Sequence, residues 1–423
     1  MQYIKKDLGS YNIHLINTDK YKTVTMKVVF HSPIKKEEIT MRNILSDILL
    51  QSTKNYPTKR DMIIESENLY AADIYNNTQR FGNYISTSFI LQVLNDKYTE
   101  PGNLENAIRF LSEIILNPDI NDNGFNEEKL KIVKHNCEIN LSSIKENPTN
   151  YATIRLNEEF QKNSPISYRM TGYLEDLQDI TQETLYNYYQ KMIDRDHVDI
   201  FIAGEFDNNE IIQIIKSCFK FRKIKKYKIP FMLEPLKPKK KILATKENIQ
   251  ASQSKLAIGC TIGKLTEKER NYSLVLGNII LGGGTDSKLF KTVREKNSLC
   301  YSIYSSLSKL DNTIIIKAGI DKNNYKKTVE VIKDVLNKIQ KGKITDKDIK
   351  MAKELYDNSI LSIEEDPMQI INEYLTEQIV GFENYKERSK IMNKVTKRSI
   401  IKTIKKIKID TIFLLEGDEE WQK

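Results

Sequence analysis

Two strings that close the two halves of this 423-residue chain constrain its fold more than anything else in it. They are His197-Val-Asp-Ile-Phe-Ile-Ala-Gly-Glu205 and Ile409-Asp-Thr-Ile-Phe-Leu-Leu-Glu-Gly417. Each reads as an apolar strand, and each follows a helix that begins at a threonine, Thr181 or Thr396. The elements ahead of them repeat too. In the first half, alternating strands over Tyr11–Phe30 precede helical patterns at Thr40–Thr53 and Lys59–Ala72. A strand pair, Asp73–Leu94, turns at Gly82-Asn83. Helices over Asn103–Leu116 and Asn126–Gln161 follow, and then the closing helix and strand, with Asn208–Cys218 last. The second half runs strand Lys255–Thr261, helices Lys268–Leu281 and Ser287–Lys296, and strands Tyr301–Leu307 and Thr313–Gly319. Helix Tyr325–Ile339 comes next, and then Asp346–Gly381, which Pro367 should kink or break. The pattern predicts an α+β fold of two duplicated halves, each a mainly antiparallel sheet packed with helices, enclosing a cleft.

The boundary between the halves is a run of charge. Lys220 to Lys241 holds ten Lys or Arg against Glu234 alone, punctuated by Pro230, Pro235 and Pro238. The expected domains are therefore 1–220 and 246–423, with a basic linker at 221–245. The net charge of +9 is set against 57 acidic residues, so the chain is mildly basic rather than polycationic. It shows neither aromatic platforms nor a nucleic-acid module, which argues against a nucleic-acid partner. No apolar run approaches the ~20 residues that span a bilayer, and no signal core follows Met1. The expectation is a cytoplasmic protein with no membrane partner. Cys137, Cys218, Cys260 and Cys300 are far apart and read as small buried hydrophobes rather than disulfides or metal ligands.

One segment carries chemistry: Leu281-Gly-Gly-Gly-Thr-Asp-Ser-Lys-Leu-Phe-Lys-Thr-Val-Arg-Glu-Lys-Asn-Ser-Leu-Cys-Tyr301. Gly282, Gly283 and Gly284 do not form a phosphate loop, because no Gly-Lys-Ser/Thr follows. They end one helix, and Thr285 or Asp286 should cap the next. Taken alone, Arg294 is a helix-end surface charge and Tyr301 a half-buried strand aromatic.

The segment, together with Ala318-Gly319, Ile180-Thr181 and Leu185-Tyr-Asn-Tyr-Tyr189, resembles the pitrilysin-like zinc peptidases, the family of insulinase and the mitochondrial processing peptidase. The likeness runs from about Tyr11 to Leu415. Active members carry H-x-x-E-H on the first helix of the amino half, where two His bind zinc and the Glu is general base. Here the matching positions are Asn43, Ser46 and Asp47. Asn and Ser are poor zinc ligands, and a serine cannot replace a carboxylate base. No metal is expected in this chain. The four histidines, His14, His31, His135 and His197, are scattered, although His135 lies on the helix where the family places its third ligand.

The resemblance implies more. Arg294 and Tyr301 match a family pair that reaches the peptide at the zinc site, so they are the candidate catalytic contacts. Gly282–Gly284 resemble a short form of a glycine-rich substrate loop. The strand Gly82–Leu94, with Tyr84 and Ser86, matches where the family adds an extended peptide to a sheet. The implied function is the non-catalytic subunit of a heterodimeric peptidase that processes peptides or leader segments. Its partner would be a sister chain that holds the zinc. The alternatives are a scaffold of the same fold and a self-sufficient peptidase with unusual ligands.

Overall fold

The matched threonines start their helices with the same device. The hydroxyl of Thr181 accepts from the Thr184 amide while the Thr184 side chain returns to the cap, and Thr396 and Ser399 repeat this. Thr58 with Asp61 and Thr345 with Asp348 use it again. Each reciprocal cap satisfies amides that a helix start leaves unpaired. The computed structural model describes residues 1–222 and 231–418, and the linker stretch 223–230 lies outside the described residues.

The first half of the chain contains strands β1 (Gln2–Asp7), β2 (Tyr11–Asn17), β3 (Thr23–Pro33), β4 (Asp73–Phe81) and β5 (Tyr84–Leu94). A short hairpin, β6 (Ile120–Asn121) and β7 (Gly124–Phe125), precedes β8 (His197–Gly204). Its helices are α1 (Ile39–Leu49), α2 (Lys59–Asn68), α3 (Asn103–Leu116), α4 (Glu127–Ser142), α5 (Pro148–Phe160), α6 (Gln182–Arg195) and α7 (Asn208–Cys218). The second half contains β9 (Leu243–Ile249), β10 (Ser254–Ile262), β11 (Cys300–Ser308), β12 (Thr313–Ile320) and β13 (Ile407–Gly417). Its helices are α8 (Leu274–Gly282), α9 (Tyr325–Gln340), α10 (Asp346–Ser362), α11 (Pro367–Val380), α12 (Tyr385–Asn393) and α13 (Lys397–Ile404). No helix among the described residues is long and apolar enough to cross a membrane.

The duplication is explicit in the sheets. One has the order β1-β2-β8-β3-β5-β4, the other β11-β12-β10-β13-β9. In the first, only β2 and β8 run parallel; in the second, only β13 and β9 do. Matching these parallel pairs sets β2, β8, β3, β5 and β4 against β9, β13, β10, β12 and β11. The fold is α+β, as the element order predicted.

The compact units do not follow chain order. One is Met1–Ser142, Arg169–Pro230 and Glu364–Ile379; the other is Ser143–Tyr168, Phe231–Ile363 and Val380–Lys423. The predicted helix Asn126–Gln161 is in fact two, because Asn147 caps a new helix at Pro148. Proline suits a first helical position and ends whatever precedes it. The restarted α5 packs on β10 and β13, with Tyr151, Ala152 and Leu156 against Ala257, Phe413 and Leu415. Reciprocally, the chain breaks at Pro367 and α11 meets the first sheet. There Lys27 Nζ donates to Asn372 Oδ1 at 2.7 Å, and Tyr3 stacks on Tyr374 at 4.3 Å. Strand β9 was not foreseen, and its first residues fall within the stretch read as linker.

Arg42 anchors α1 in the first unit. Its side chain is 1% exposed and pairs with Asp196 at the end of α6. It also donates to Thr87 Oγ1 (2.8 Å), Ser32 Oγ (2.7 Å), the Tyr188 hydroxyl (3.3 Å) and the Phe30 carbonyl (3.4 Å). Burial pushes the Asp196 carboxyl up, and the guanidinium opposes it. One buried cation thus fixes α1 against β3, β5 and α6.

Candidate functional site

On α1, the three positions matching the zinc motif are all committed elsewhere. Asn43 Nδ2 donates to the Met170 carbonyl at 2.8 Å. Ser46 is buried and turns its hydroxyl back onto the Asn43 carbonyl at 2.9 Å. Asp47 accepts from Asn76 Nδ2 on β4 at 2.8 Å. His135 does not face this helix: it is exposed on α4 beside Glu138, 4.0 Å away. Cys137, two residues on, is buried on the same helix, and burial, followed by the Asp47 charge, pushes its thiol up to about 11. The sequence reading missed that approach; the signal was the buried stripe Leu130, Val133, Cys137 and Leu141. Asn43 and Ser46 offer an amide and a hydroxyl, poor donors for zinc, which wants thiolate, imidazole or carboxylate, and the one carboxylate of the three, Asp47, is held by Asn76. Among the described residues, no group of three or more His, Cys, Asp or Glu is placed to hold a metal.

In the second unit, three backbone irregularities bring Arg294 and Tyr301 together. Phe290–Lys296 is wound as a π-helix, a rare form that is frequent at functional sites. Ser298, at φ +50°, turns the chain, with its amide on the Arg294 carbonyl at 3.0 Å. The β11–β12 register then shifts between Cys300 and Ser302, so Tyr301 is thrown out of the ladder. Its side chain is 77% exposed, not half-buried as expected. The Arg294 guanidinium lies 5.7 Å from the Tyr301 ring and 4.6 Å from Phe290. From sequence Phe290 carried part of the family likeness but was given no site role, although its i, i+4 spacing to Arg294 marks a shared helix face.

Residues 179–356 match the family profile described as the peptidase M16 inactive domain. The chain is 28% identical to a probable inactive metalloprotease of Bacillus subtilis, YmfF, over 98% of both chains. A crystal structure of a conserved Enterococcus faecalis protein is 29% identical, with a TM-score of 0.89 over 99% of each chain. An M16 inactive-domain protein from Pseudomonas fluorescens shares the fold at a TM-score of 0.80 and 15% identity. Over residues 179–356, and in fold along nearly its whole length, the chain is similar to the M16, or pitrilysin-like, peptidases.

The glycine segment has a packing role. A Cβ on Gly282 would stand 2.6 Å from Ser305 Oγ and 2.7 Å from the Ser305 amide on β11. Gly284 faces nothing nearer than Leu355 Cδ1 at 3.9 Å. Gly283 is confined by its own helix, at 2.6 Å from Ile279 Cα. Gly282→Ala is expected to cost about 1–3 kcal/mol, and Gly284→Ala within about 0.5, read as shifts in urea midpoint. Neither Thr285 nor Asp286 makes the expected cap; the Phe290 amide meets Ser287 Oγ at 3.4 Å, and Asp286 pairs with Lys291.

The expected substrate strand needs correcting. Strand β5 lies between β3 and β4, so its backbone is already paired on both edges. Tyr84 and Ser86 are buried on it, and Ser86 Oγ bonds His31 Nδ1 at 2.7 Å. The edge strand beside β5 is β4, tied to α1 through Asn76 and Asp47.

His31 belongs to a buried cluster. Asp199 holds His14 Nε2 at 2.9 Å and faces His31 Nε2 at 3.7 Å. Burial lowers the His31 imidazole to about 4, against a partial opposing pull from Asp199. The unfolded chain therefore binds this proton more readily. The stability that His31 contributes is full above about pH 6.5 and is lost as pH falls toward 4, at most about 3 kcal/mol. Thermal scans of His31→Gln should show a flatter dependence across that window than wild type.

Proposed function

We propose that this chain is the non-catalytic subunit of a two-chain zinc peptidase. It lends Arg294 and Tyr301 to a metal site on a sister subunit that keeps an intact H-x-x-E-H helix. The observation that carries this is the exposed Arg294–Tyr301 pair, built by a π-turn and a bulge, on a chain whose α1 has the wrong donors for zinc. An aromatic that merely filled a sheet would not be thrown out to 77% exposure. Fixed guanidinium donors can hold a substrate carbonyl, and a phenol hydroxyl can donate to an oxygen as negative charge grows on it. The zinc itself, supplied by the sister, would polarise the scissile carbonyl and activate water. Substrates are peptides or leader segments able to lie extended, and the compartment is the cytoplasm.

The test mixes this chain with an H-x-x-E-H sister and follows cleavage of a quenched fluorescent peptide. Neither chain alone should cleave at a comparable rate, and the mixture should cleave until a chelator is added. Full activity of the sister alone would leave this chain a scaffold. Chelator-sensitive cleavage by this chain alone would overturn the reading outright.

A further inference from the structure

We propose that β11 and the sheet floor beside it bind an extended acidic peptide as an added strand. β11 ends its sheet and is the counterpart of the open β4 in the other unit. The register shift that exposes Tyr301 lies on this strand. Partway along it the Ser305 carbonyl already accepts from Asn278 Nδ2 at 3.3 Å, so the stretch offered for pairing ahead of that point is Tyr301–Tyr304.

The floor selects charge. Ser302, Tyr304, Lys317 and Lys255 line one small cavity, walled by Thr149 and Thr153 of α5. Lys317 Nζ sits 5.9 Å from the Tyr304 ring, and among the described residues no carboxylate pairs with it. Lys255 Nζ meets only the neutral Gln253 Oε1, at 2.6 Å. Burial lowers both ammonium groups, the expected response to a missing counter-charge. Two half-buried cations with neutral neighbours gain most from a ligand that brings carboxylates. A strand paired to β11 directs every second side chain over this face, which supplies them at the right spacing.

This rests on the peptide-handling reading above, but its test uses the chain alone, so the two fail separately. The probes are fluorescein-labelled acetyl-Val-Glu-Val-Glu-Val-Glu-amide, its lysine counterpart, and the acidic peptide N-methylated at alternate residues. Anisotropy should show the acidic probe binding about tenfold or more tighter than either other peptide. Lys255→Gln plus Lys317→Gln should weaken it by about the same factor, while Lys317→Arg retains binding and wild-type melting. No binding, equal affinity for the acidic and lysine probes, or unchanged affinity in the double variant would overturn the proposal. Indifference to N-methylation would overturn strand addition. Any of these, with cleavage by the mixed subunits intact, removes this proposal and leaves the peptidase reading standing.

Discussion

In the proposed two-subunit peptidase, Arg294→Ala combined with Tyr301→Phe is expected to lower kcat/KM by about 10²–10³-fold, the usual loss when a donor to a developing oxyanion is removed. Both side chains are exposed, so melting of the chain should change little. The two singles should not sum to the double, since the groups act on one substrate. Tyr301→Phe removes a hydroxyl and leaves the ring over Arg294, so its loss should fall mainly in kcat. On the proposed role, Arg294→Ala would remove a contact to the substrate in ground and transition states alike, and should raise KM as well. Unaltered cleavage by the double variant, with the complex still formed, sinks the role assigned to both.

The second large effect is on folding. Arg42→Met should destabilise the first unit by about 3–5 kcal/mol, because it strands Asp196 as a buried charge and leaves the hydroxyls of Thr87 and Ser32 without their donor. At about 2–4 °C per kcal/mol for a unit of this size, the melting temperature falls by more than ~6 °C. Adding Asp196→Leu removes the stranded charge and should recover at least half of the loss. A double variant no more stable than Arg42→Met would show that the hydrogen bonds, not the charge, carry the cost. Since Arg42 also sets the pose of α1, partner assembly is a second readout.

Much of this was legible in the sequence, for local reasons. Thr181 and Thr396 cap helices because a threonine hydroxyl bonds the third amide of a helix wherever the chain goes afterwards. Helix breaks at Pro148 and Pro367 follow from the missing amide and the ring; the second was read and the first overlooked. The loss of zinc-binding character at Asn43 and of a carboxylate base at Ser46 is a matter of side-chain chemistry and needs no coordinates.

Other features are non-local, and no pattern along the chain encodes them. Alternation marks β5 as a strand but cannot say that β3 and β4 flank it, so Tyr84 and Ser86 were taken for an accessible edge. The apolar residues of α5 announce a buried face without naming the sheet that buries it, and the chain delivers α5 and α11 to opposite units. Whether Cys137 or His135 faces α1 depends on a rotation of α4 that packing alone fixes. Sequence by itself determined the duplicated order of elements, the caps and the unsuitability of α1 for zinc, because each is settled by bonds within a few residues. Only the tertiary structure decided which strands keep an open edge and that Tyr301 stands clear of its sheet beside Arg294, because sheet order and register are settled by hydrogen bonds between segments far apart in the chain.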